Sequence, residues 1–454
     1  MWRLACAAAA ALGLTLAAGC SGTPEPADKA GEAASSSADV ATEGAGAVDT
    51  PPETGDLTSD AAETAAVTPR VAITYDGGIQ VRDATTLDLV ADIPLDGYLR
   101  LNPAGDGRHV FVTLAETGFR LLDLGVWAVG HGDHDHYYAA TPVLTDIVFP
   151  ATGPGHVVPH DGHTVLFDDA TGHIAILDAE ELGDEGHAMI REYQAASPHH
   201  GVAVELPDGT LLVSEGTPEA RSGAIALDAT DTQVGTSDEC PGLHGEAVSA
   251  GEAVTFGCAD GVLIYRDGAF TKAPAPAPVG STSTMVGTEG SPIALGNYTV
   301  ADAGPSEPPR VAVVDTVAGT ERLIELPAPY GSRSLGRLDD GTGLVLGTDG
   351  ALHVLDVDAA TVTGSYPVID PWEVPEDWTA PSPKLMVLEG MVYIVDTTAK
   401  ALVVVDPVTG EIWKTVDLGV VPGEMAGVAG DGPGAHDHEG EEEGETHDDE
   451  EEAD

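Results

Sequence analysis

The stretch MVYIVDTTAKALVVVD, residues 391–406, consists of two apolar runs, each ending in aspartate, on either side of the polar segment TTAK. Short apolar runs rich in β-branched residues and bounded by turn residues are typical of strands. The stretch therefore predicts a β-hairpin. The stretch HVFVTLAETGFRLLDL, residues 109–124, has the same organisation.

An apolar run followed by aspartate and a turn recurs eight times along the chain. The aspartates of this repeat are Asp83, Asp123, Asp178, Asp228, Asp267, Asp315, Asp356 and Asp406. Their spacings lie between 39 and 55 residues, which is the length of a four-stranded propeller blade. Helical periodicity is scarce. We therefore predict an all-β fold, a single β-propeller of eight blades, with seven as the alternative if one repeat is degenerate.

The two ends of the repeat region predict how the ring closes. The first hairpin, RVAITYDGGIQVRD at residues 70–83, has no obvious inner strand before it. The segment PGEMAGVAG at residues 422–430 is a candidate for that strand. Pairing of the two would close the ring and hide the strand edges that an open sheet leaves exposed.

The flanking sequences predict an exported lipoprotein. Residues 1–19 resemble a signal peptide, and LAAGC resembles a lipobox with cleavage before Cys20, so the lipid on Cys20 would be the only membrane anchor. Residues 20–67 contain almost no large apolar side chains and predict a disordered tether. We assign residues 68–430 to the propeller and residues 431–454 to a disordered acidic tail, whose histidines are either weak metal ligands or part of a solubilising segment.

Charge and cysteine content narrow the classes of partner. The formal net charge of −58 opposes nucleic acid and anionic membrane surfaces as partners and favours cations, although acidic surfaces also serve solubility. Of the four cysteines, Cys6 leaves with the signal peptide and Cys20 carries lipid. The remaining pair, Cys240 and Cys258, predicts a disulfide in an exported protein, with metal thiolates as the alternative.

Three consecutive blades begin their innermost strand with histidine. The segments are GPGHVVPHDGHTVLF with His156, SPHHGVAVELPDGTLLV with His199 and His200, and PGLHGEAVSAGEAVTF with His244. Equivalent positions of adjacent blades converge near the mouth of the central channel. Three histidines with a carboxylate or water would satisfy zinc. We predict a metal site at His156, His200 and His244, with His199 as a further candidate; the alternative is histidines that only form hydrogen bonds.

A second histidine cluster lies in GHGDHDHYY, residues 130–138. It follows the third strand of blade two, so we predict a flexible loop on the face opposite the first cluster. Imidazole suits zinc, copper or nickel, and carboxylates add oxygen donors. The candidate ligands here are His131, Asp133, His134, Asp135 and His136; the alternative is a merely polar loop.

These segments together resemble the AztD-type zinc metallochaperones. The resemblance rests on the HGDHDH loop, the segment PHHGVAVELPDG and the segment LHGEA with the nearby cysteine pair, and it covers roughly residues 68–425. It implies Zn²⁺ binding outside the cytoplasm and delivery of the ion to the solute-binding protein of a zinc ABC importer. It also implies that His156, His200 and His244 retain the ion, and that His131, His134 and His136 capture it or hand it on. The lipid anchor and the tail depart from a free periplasmic protein.

Two other classes of function remain open at this stage. The sequence contains no GxSxG, HExxH or GxxxxGK[ST] motif, and we predict a monomer that is not an enzyme. The alternatives are a metal-dependent, lactonase-like propeller hydrolase and a metal-free protein-binding scaffold. The spacing of the residues does not distinguish zinc from another divalent metal, and it does not show which histidine cluster is tighter.

Overall fold

A computed structural model of the chain describes residues 60–115, 117–131, 134–183, 188–301 and 308–432. The predicted signal peptide, Cys20, Asp133, the side chain of His131 and most of the acidic tail lie outside this part. The described residues form 35 strands and no helix, so none of them belongs to a helix that could cross a membrane. The all-β prediction is confirmed.

The strands are short, and most contain five to eight residues. In chain order they are β1 (Ala62–Thr64), β2 (Arg70–Tyr75), β3 (Gly78–Asp83), β4 (Leu89–Pro94), β5 (Leu99–Pro103), β6 (His109–Leu114), β7 (Gly118–Asp123), β8 (Val126–His131), β9 (His134–Ala139), β10 (Val143–Pro150), β11 (Pro154–His160), β12 (His163–Asp168), β13 (His173–Asp178), β14 (Met189–Gln194), β15 (Ala203–Glu205), β16 (Leu211–Gly216), β17 (Arg221–Leu227), β18 (Gln233–Ser237), β19 (His244–Ser249), β20 (Ala253–Cys258), β21 (Gly261–Arg266), β22 (Ala269–Pro274), β23 (Met285–Thr288), β24 (Ser291–Tyr298), β25 (Arg310–Asp315), β26 (Thr320–Glu325), β27 (Tyr330–Arg337), β28 (Gly343–Gly347), β29 (Ala351–Asp356), β30 (Thr361–Pro367), β31 (Lys384–Leu388), β32 (Met391–Asp396), β33 (Ala401–Val405), β34 (Ile412–Asp417) and β35 (Pro422–Val428).

Thirty-two of these strands form eight four-stranded antiparallel sheets, which we number I to VIII. Sheet I contains β35, β2, β3 and β4 in that order, and sheet II contains β5, β6, β7 and β10. Sheets III to VIII take the following strands four at a time, from β11–β14 to β31–β34. The C-terminal strand β35 thus pairs with the first strand of the repeat region, with Arg70 opposite Val428.

Burial follows the position of a strand in its sheet. Central strands such as β28 and β33 are buried along their whole length, whereas fourth strands such as β4 and β30 alternate between exposed and partly buried residues. The repeated aspartate closes the turn after the third strand. Asp83, for example, accepts hydrogen bonds from the backbone nitrogens of Thr85 and Thr86, at 2.9 and 2.6 Å. The aspartate repeat therefore marks an Asx-type turn.

Eight apolar clusters lie between the sheets; each joins two consecutive sheets, and the one between sheets IV and V also includes Val158 of sheet III. The cluster between sheet VIII and sheet I contains Val395 and Val404 together with Val71 and Ile73. Every sheet therefore packs on two neighbours, and sheet I packs on sheet VIII. This packing brings the first strands of the sheets side by side, and those strands carry the candidate site.

Strands β8 and β9 form a hairpin inserted between β7 and β10 of sheet II. The stretch GHGDHDHYY, which we predicted as a loop, is therefore mostly strand. Trp127 stacks on Tyr138 across the hairpin at 5.6 Å, and the Arg108 guanidinium lies 4.5 Å from the Trp127 ring. Strand β1 extends the hairpin into a three-stranded sheet and falls within residues 20–67, so the range predicted as a tether includes an ordered strand at its end.

The disulfide predicted between Cys240 and Cys258 is formed, and both residues are fully buried. Cys258 ends β20, and Cys240 lies four residues before His244 at the start of β19. The bridge ties the segment that leads into β19 to the neighbouring strand of sheet V. It therefore restrains the backbone next to one of the candidate metal ligands.

Candidate metal centre

Three histidines from three consecutive sheets converge at the beginning of their first strands. His156 is the third residue of β11, His200 lies three residues before β15, and His244 is the first residue of β19. Glycine follows two of them because the backbone is crowded there. A Cβ on Gly201 would lie 2.2 Å from the ring of Phe167, and one on Gly245, whose φ is +73°, would lie 2.5 Å from a carbonyl oxygen.

The three imidazoles form a compact triangle. Their ring centroids are 5.0 to 5.4 Å apart, and one ligand nitrogen from each lies within 4.8 Å of the other two. The Nε2 atoms of His200 and His244 are 3.0 Å apart. A tetrahedral zinc ion with bonds of 2.0–2.1 Å holds ligand nitrogens about 3.3 Å apart. The triangle therefore fits a zinc ion with three histidine ligands and a fourth position for water or an anion.

The second nitrogen of each imidazole has an acceptor on the outside of the triangle. The pairs are His156 Nδ1 with Glu246 Oε1 at 3.2 Å, His200 Nδ1 with Asp169 Oδ2 at 2.5 Å, and His244 Nδ1 with the carbonyl oxygen of Ser283 at 2.6 Å. A proton on Nδ1 that donates outward leaves Nε2 as the metal-binding atom. Outer acceptors of this kind orient histidine ligands and raise their basicity.

The surroundings also set the protonation of two of the rings. Burial and the charges of the other two histidines lower the pKa of His244 to about 4, against the hydrogen bond to Ser283. Burial disfavours the charged form of His156, but the charge and hydrogen bond of Glu246 outweigh it and raise the pKa of His156. His244 is therefore neutral at physiological pH, as a metal ligand must be.

His199 is not part of the triangle, although we predicted it as a further ligand. Its side chain is 3% exposed and packs 5.3 Å from the ring of Phe167. Its Nδ1 contacts the carbonyl oxygen of Ser197 at 2.8 Å, and its Nε2 contacts Ser214 Oγ at 2.9 Å. Both nitrogens are thus engaged within the protein, and His199 has a packing role.

The hairpin cluster is more open. The rings of His134 and His136 are 4.9 Å apart, His136 Nδ1 contacts Glu63 Oε1 of β1 at 2.6 Å, and Asp135 is exposed. Within the described ranges, the only group of three or more metal-ligating side chains is that of His156, His200 and His244. The side chains of His131 and Asp133 lie outside the part of the chain that the structure describes.

The two clusters lie at opposite ends of their sheets. In sheet III, β11 begins with Pro154 opposite Asp168 and ends with His160 opposite His163, so His156 lies near the starting end. The hairpin leaves sheet II after Asp123, which lies opposite His109 at the end where β5 finishes. The hairpin thus lies at the end of its sheet where the first strand finishes, whereas the triangle lies at the end where first strands begin.

Sequence reasoning did not identify the outer acceptors Asp169, Glu246 and Ser283. Asp169 follows β12 in the turn to the third strand, and such turns lie at the end where first strands begin. A search of those turns for carboxylates would have found Asp169. Glu246 lies two residues after His244 on the same strand, but the strand register shifts between the two residues, so the spacing alone does not place both side chains on one face. The carbonyl of Ser283 has no sequence signal, because any residue supplies one.

The chain was compared with known proteins, and no family model matches it. The zinc chaperone AztD of Citrobacter koseri is 28% identical over 380 residues, which cover 80% of this chain and 87% of that protein. The chain is similar to this zinc chaperone.

Solved structures give the same result. A crystal structure of Citrobacter koseri AztD matches with a TM-score of 0.70 at 26% identity, over 81% of this chain and 99% of that one. The structure of apo AztD from the same organism matches with a TM-score of 0.68 at 24% identity, over 80% and 98% of the two chains. The resemblance drawn from the histidine segments is confirmed.

Proposed function

We propose that the protein is an extracytoplasmic zinc metallochaperone that holds Zn²⁺ at His156, His200 and His244 and passes it to the solute-binding protein of a zinc ABC importer. The observation that carries this proposal is the histidine triangle, in which each ring has an outer acceptor. The similarity to AztD supports zinc over other divalent metals, and a carrier over the lactonase-like hydrolase or the metal-free scaffold.

We further propose that residues 68–430 form one closed propeller of eight blades. Eight four-stranded sheets support the number of blades. The pairing of β35 with β2 and the apolar cluster between sheets VIII and I support closure. In such a ring the first strands line the channel, and the histidine triangle lies at one mouth of it.

Release of the ion requires a site that is strong but open to ligand exchange. Closed four-ligand sites are structural, whereas sites with three protein ligands keep a position for an incoming group. The side chain of His200 is 41% exposed, which gives an acceptor protein access to the ion. The net charge of −58 raises the local concentration of cations around the protein.

The remaining assignments are part of the same proposal. Residues 1–19 form the signal peptide, lipid on Cys20 anchors a tether to the membrane, residues 431–454 form a tail, and the protein acts as a monomer. The hairpin residues His131, Asp133, His134, Asp135 and His136 capture zinc or hand it on. The pairing of His134 and His136 near Glu63 supports this role.

The proposal is tested by competition titration of zinc into the metal-free full chain. Combined replacement of His156, His200 and His244 by alanine removes all three nitrogens, so we expect loss of the tight site. The matched control lacks the hairpin, residues 126–139. The backbone nitrogen of Ala140 donates to the carbonyl oxygen of Gly125 at 2.8 Å, so the two ends can be joined by a short turn.

We expect the hairpin-deleted chain to retain the tight site and to bind less zinc in total. An unchanged tight site in the triple alanine variant would refute the assignment to the triangle. Loss of the tight site in the hairpin-deleted chain would place it at the hairpin instead.

A further inference from the structure

A group of cationic side chains lies at the starting ends of other first strands. Arg100 is the second residue of β5, Arg333 the fourth residue of β27 and Lys384 the first residue of β31. Glu424 of β35 lies among them. The whole chain contains only 18 lysines and arginines against 76 aspartates and glutamates. Three cations from three strands in one place are therefore unusual for this protein.

One carboxylate, that of Glu424, contacts two of these cations. Glu424 Oε2 lies 3.3 Å from Arg333 Nη2, and Glu424 Oε1 lies 3.6 Å from Lys384 Nζ. Lys384 also donates to the carbonyl oxygen of Gly423 at 3.2 Å. With Arg100, the group carries three positive charges and one negative charge. We call these four residues, Arg100, Arg333, Lys384 and Glu424, the cationic mouth.

The positive charges of the cationic mouth are only partly compensated. Burial lowers the pKa of Arg100, and the neighbouring charge of Arg333 lowers it further. Burial also lowers the pKa of Lys384, although Glu424 opposes this. The side chain of Arg333 is 42% exposed, whereas those of Lys384 and Glu424 are 12% and 10% exposed. An anion arriving from solvent can therefore reach Arg333 and would relieve the repulsion between the cations.

The cationic mouth and the histidine triangle both lie at the starting ends of first strands, and Arg100 belongs to sheet II, which packs on the sheet that carries His156. The charge of Asp169, the acceptor of His200, favours the charged form of Arg100. Tyr98, which precedes Arg100, meets Trp378 edge to face at 6.2 Å, and the Trp378 side chain is 76% exposed. An aromatic pair of this kind beside arginines is typical of protein-binding surfaces.

We propose that the cationic mouth is a carboxylate-binding site, which takes the carboxylate of a small organic acid or of an acidic protein segment. Glu424 shows that the guanidinium of Arg333 and the ammonium of Lys384 already share one carboxylate. Arginine binds a carboxylate through two parallel hydrogen bonds. The three positive charges of this group exceed its one negative charge, so it can attract a second carboxylate from outside the protein.

A carboxylate at the cationic mouth would also affect zinc binding at the triangle. This step rests on the proposed function. A carboxylate bound beside the triangle lowers the electrostatic cost of Zn²⁺ there, and by linkage Zn²⁺ strengthens carboxylate binding by the same factor. An acceptor that presents a carboxylate would thus be attracted to the loaded carrier and released by the empty one.

The experiment is calorimetric titration of the metal-free full chain at constant ionic strength with a tetraglutamate peptide. Arg333→Gln should weaken binding about fivefold, because one charged hydrogen-bonding partner is lost. Glu424→Gln should tighten it about fivefold, because the internal competitor is neutralised. The matched controls are Arg322→Gln on the outer strand β26 and Glu411→Gln just before β34. Each changes the net charge by the same amount as the variant it controls, and each should leave peptide binding unchanged.

Two further arms identify the source of the carboxylate. Competition by acetate at millimolar concentration would indicate a small organic acid, and its absence would indicate an acidic segment. Tighter peptide binding after truncation at Gly432 would indicate that the chain's own tail occupies the site. Because these titrations use metal-free protein, they are independent of the zinc proposal; a repeat with zinc-loaded protein measures the coupling.

The proposal is overturned if neither the wild-type chain nor the chain truncated at Gly432 binds the peptide, or if Arg333→Gln behaves like Arg322→Gln. Arg333 is exposed, so this variant is expected to fold, and circular dichroism checks that it does. If Glu424→Gln fails to fold, the comparison of the two arginine variants decides alone.

Discussion

Glu246 shows how a residue that does not itself belong to the triangle can govern it. Its carboxylate accepts from His156 Nδ1 and is the main opposing influence to burial on that ring. The anionic acceptor orients the ring and makes Nε2 a better donor to a metal. The same reasoning applies to Asp169 at His200, where the contact is 2.5 Å.

We expect Glu246→Gln to lower zinc affinity about tenfold, because the amide can still accept a hydrogen bond but carries no charge. The measurement is a competition titration with a zinc chelator of known affinity. Glu192→Gln is the matched control, since Glu192 contacts His173 Nε2 at 3.0 Å away from the triangle. Equal affinities of the two variants would show that the outer charge does not contribute.

At the residue scale, the sequence predicted the converging histidines but not their outer acceptors. Histidines at equivalent positions of three repeats pointed to His156, His200 and His244, which the structure brings together. The same reasoning included His199, because a pair of adjacent histidines does not show which of the two imidazoles meets His156 and His244. The structure resolves the pair, since His199 is buried against Phe167 and His200 is partly exposed.

At the scale of elements, the aspartate repeat predicted the strands because it reports local turn chemistry. Asp315 and Asp406, like Asp83, accept hydrogen bonds from backbone nitrogens two and three residues further on. The inserted hairpin could not be predicted in this way. Its strand pairing depends on Trp127, Tyr138 and the distant Arg108, so its histidine-rich sequence alone is typical of a loop.

At the same scale, Glu321 of β26 is a buried carboxylate whose charged form is unfavourable in the folded protein. It lies opposite Val314, is 8% exposed, and neither carboxylate oxygen has a hydrogen-bond partner. Burial raises its pKa to about 7, although the charge of Lys272 opposes this. The folded state therefore binds the proton more tightly than the unfolded state. The stability contributed by this group is greatest below pH 4.5, falls as the pH rises towards 7 and is constant above it.

We expect Glu321→Gln to stabilise the protein by about 2–3 kcal/mol at pH 8 and to leave the free energy of unfolding unchanged near pH 4. Urea unfolding at the two pH values measures the difference. Glu411→Gln, at an exposed position before β34, controls for the relief of net negative charge. A stabilisation that is equal at both pH values would contradict the assignment to burial of Glu321.

At the scale of the whole molecule, the triangle depends on the packing of several sheets rather than on any one sheet. Its three histidines belong to three sheets, and the cationic mouth takes residues from four others. Such a surface exists only while consecutive sheets stay packed. The sequence predicted the strand that completes sheet I, because the first hairpin lacked an inner partner. It could not predict the cationic mouth, since single arginines and lysines show no repeat pattern.

Truncation tests whether the pairing of β35 with β2 stabilises the fold. A chain that ends at Gly419 lacks β35, leaves the edge of β2 unpaired and exposes the apolar cluster to which Ala426 and Val428 belong. The loss is comparable with the whole stability of a domain, about 5 kcal/mol or more. We therefore expect this chain to aggregate through the free edge and to lose cooperative thermal unfolding.

A chain that ends at Gly432 keeps β35 and the hydrogen bond from Ala128 to Gly432, so its melting temperature should match that of the full chain. Circular dichroism and size-exclusion chromatography compare the two. If both truncated chains are monomeric and melt alike, β35 does not stabilise the fold, because the two chains differ only in residues 420–432.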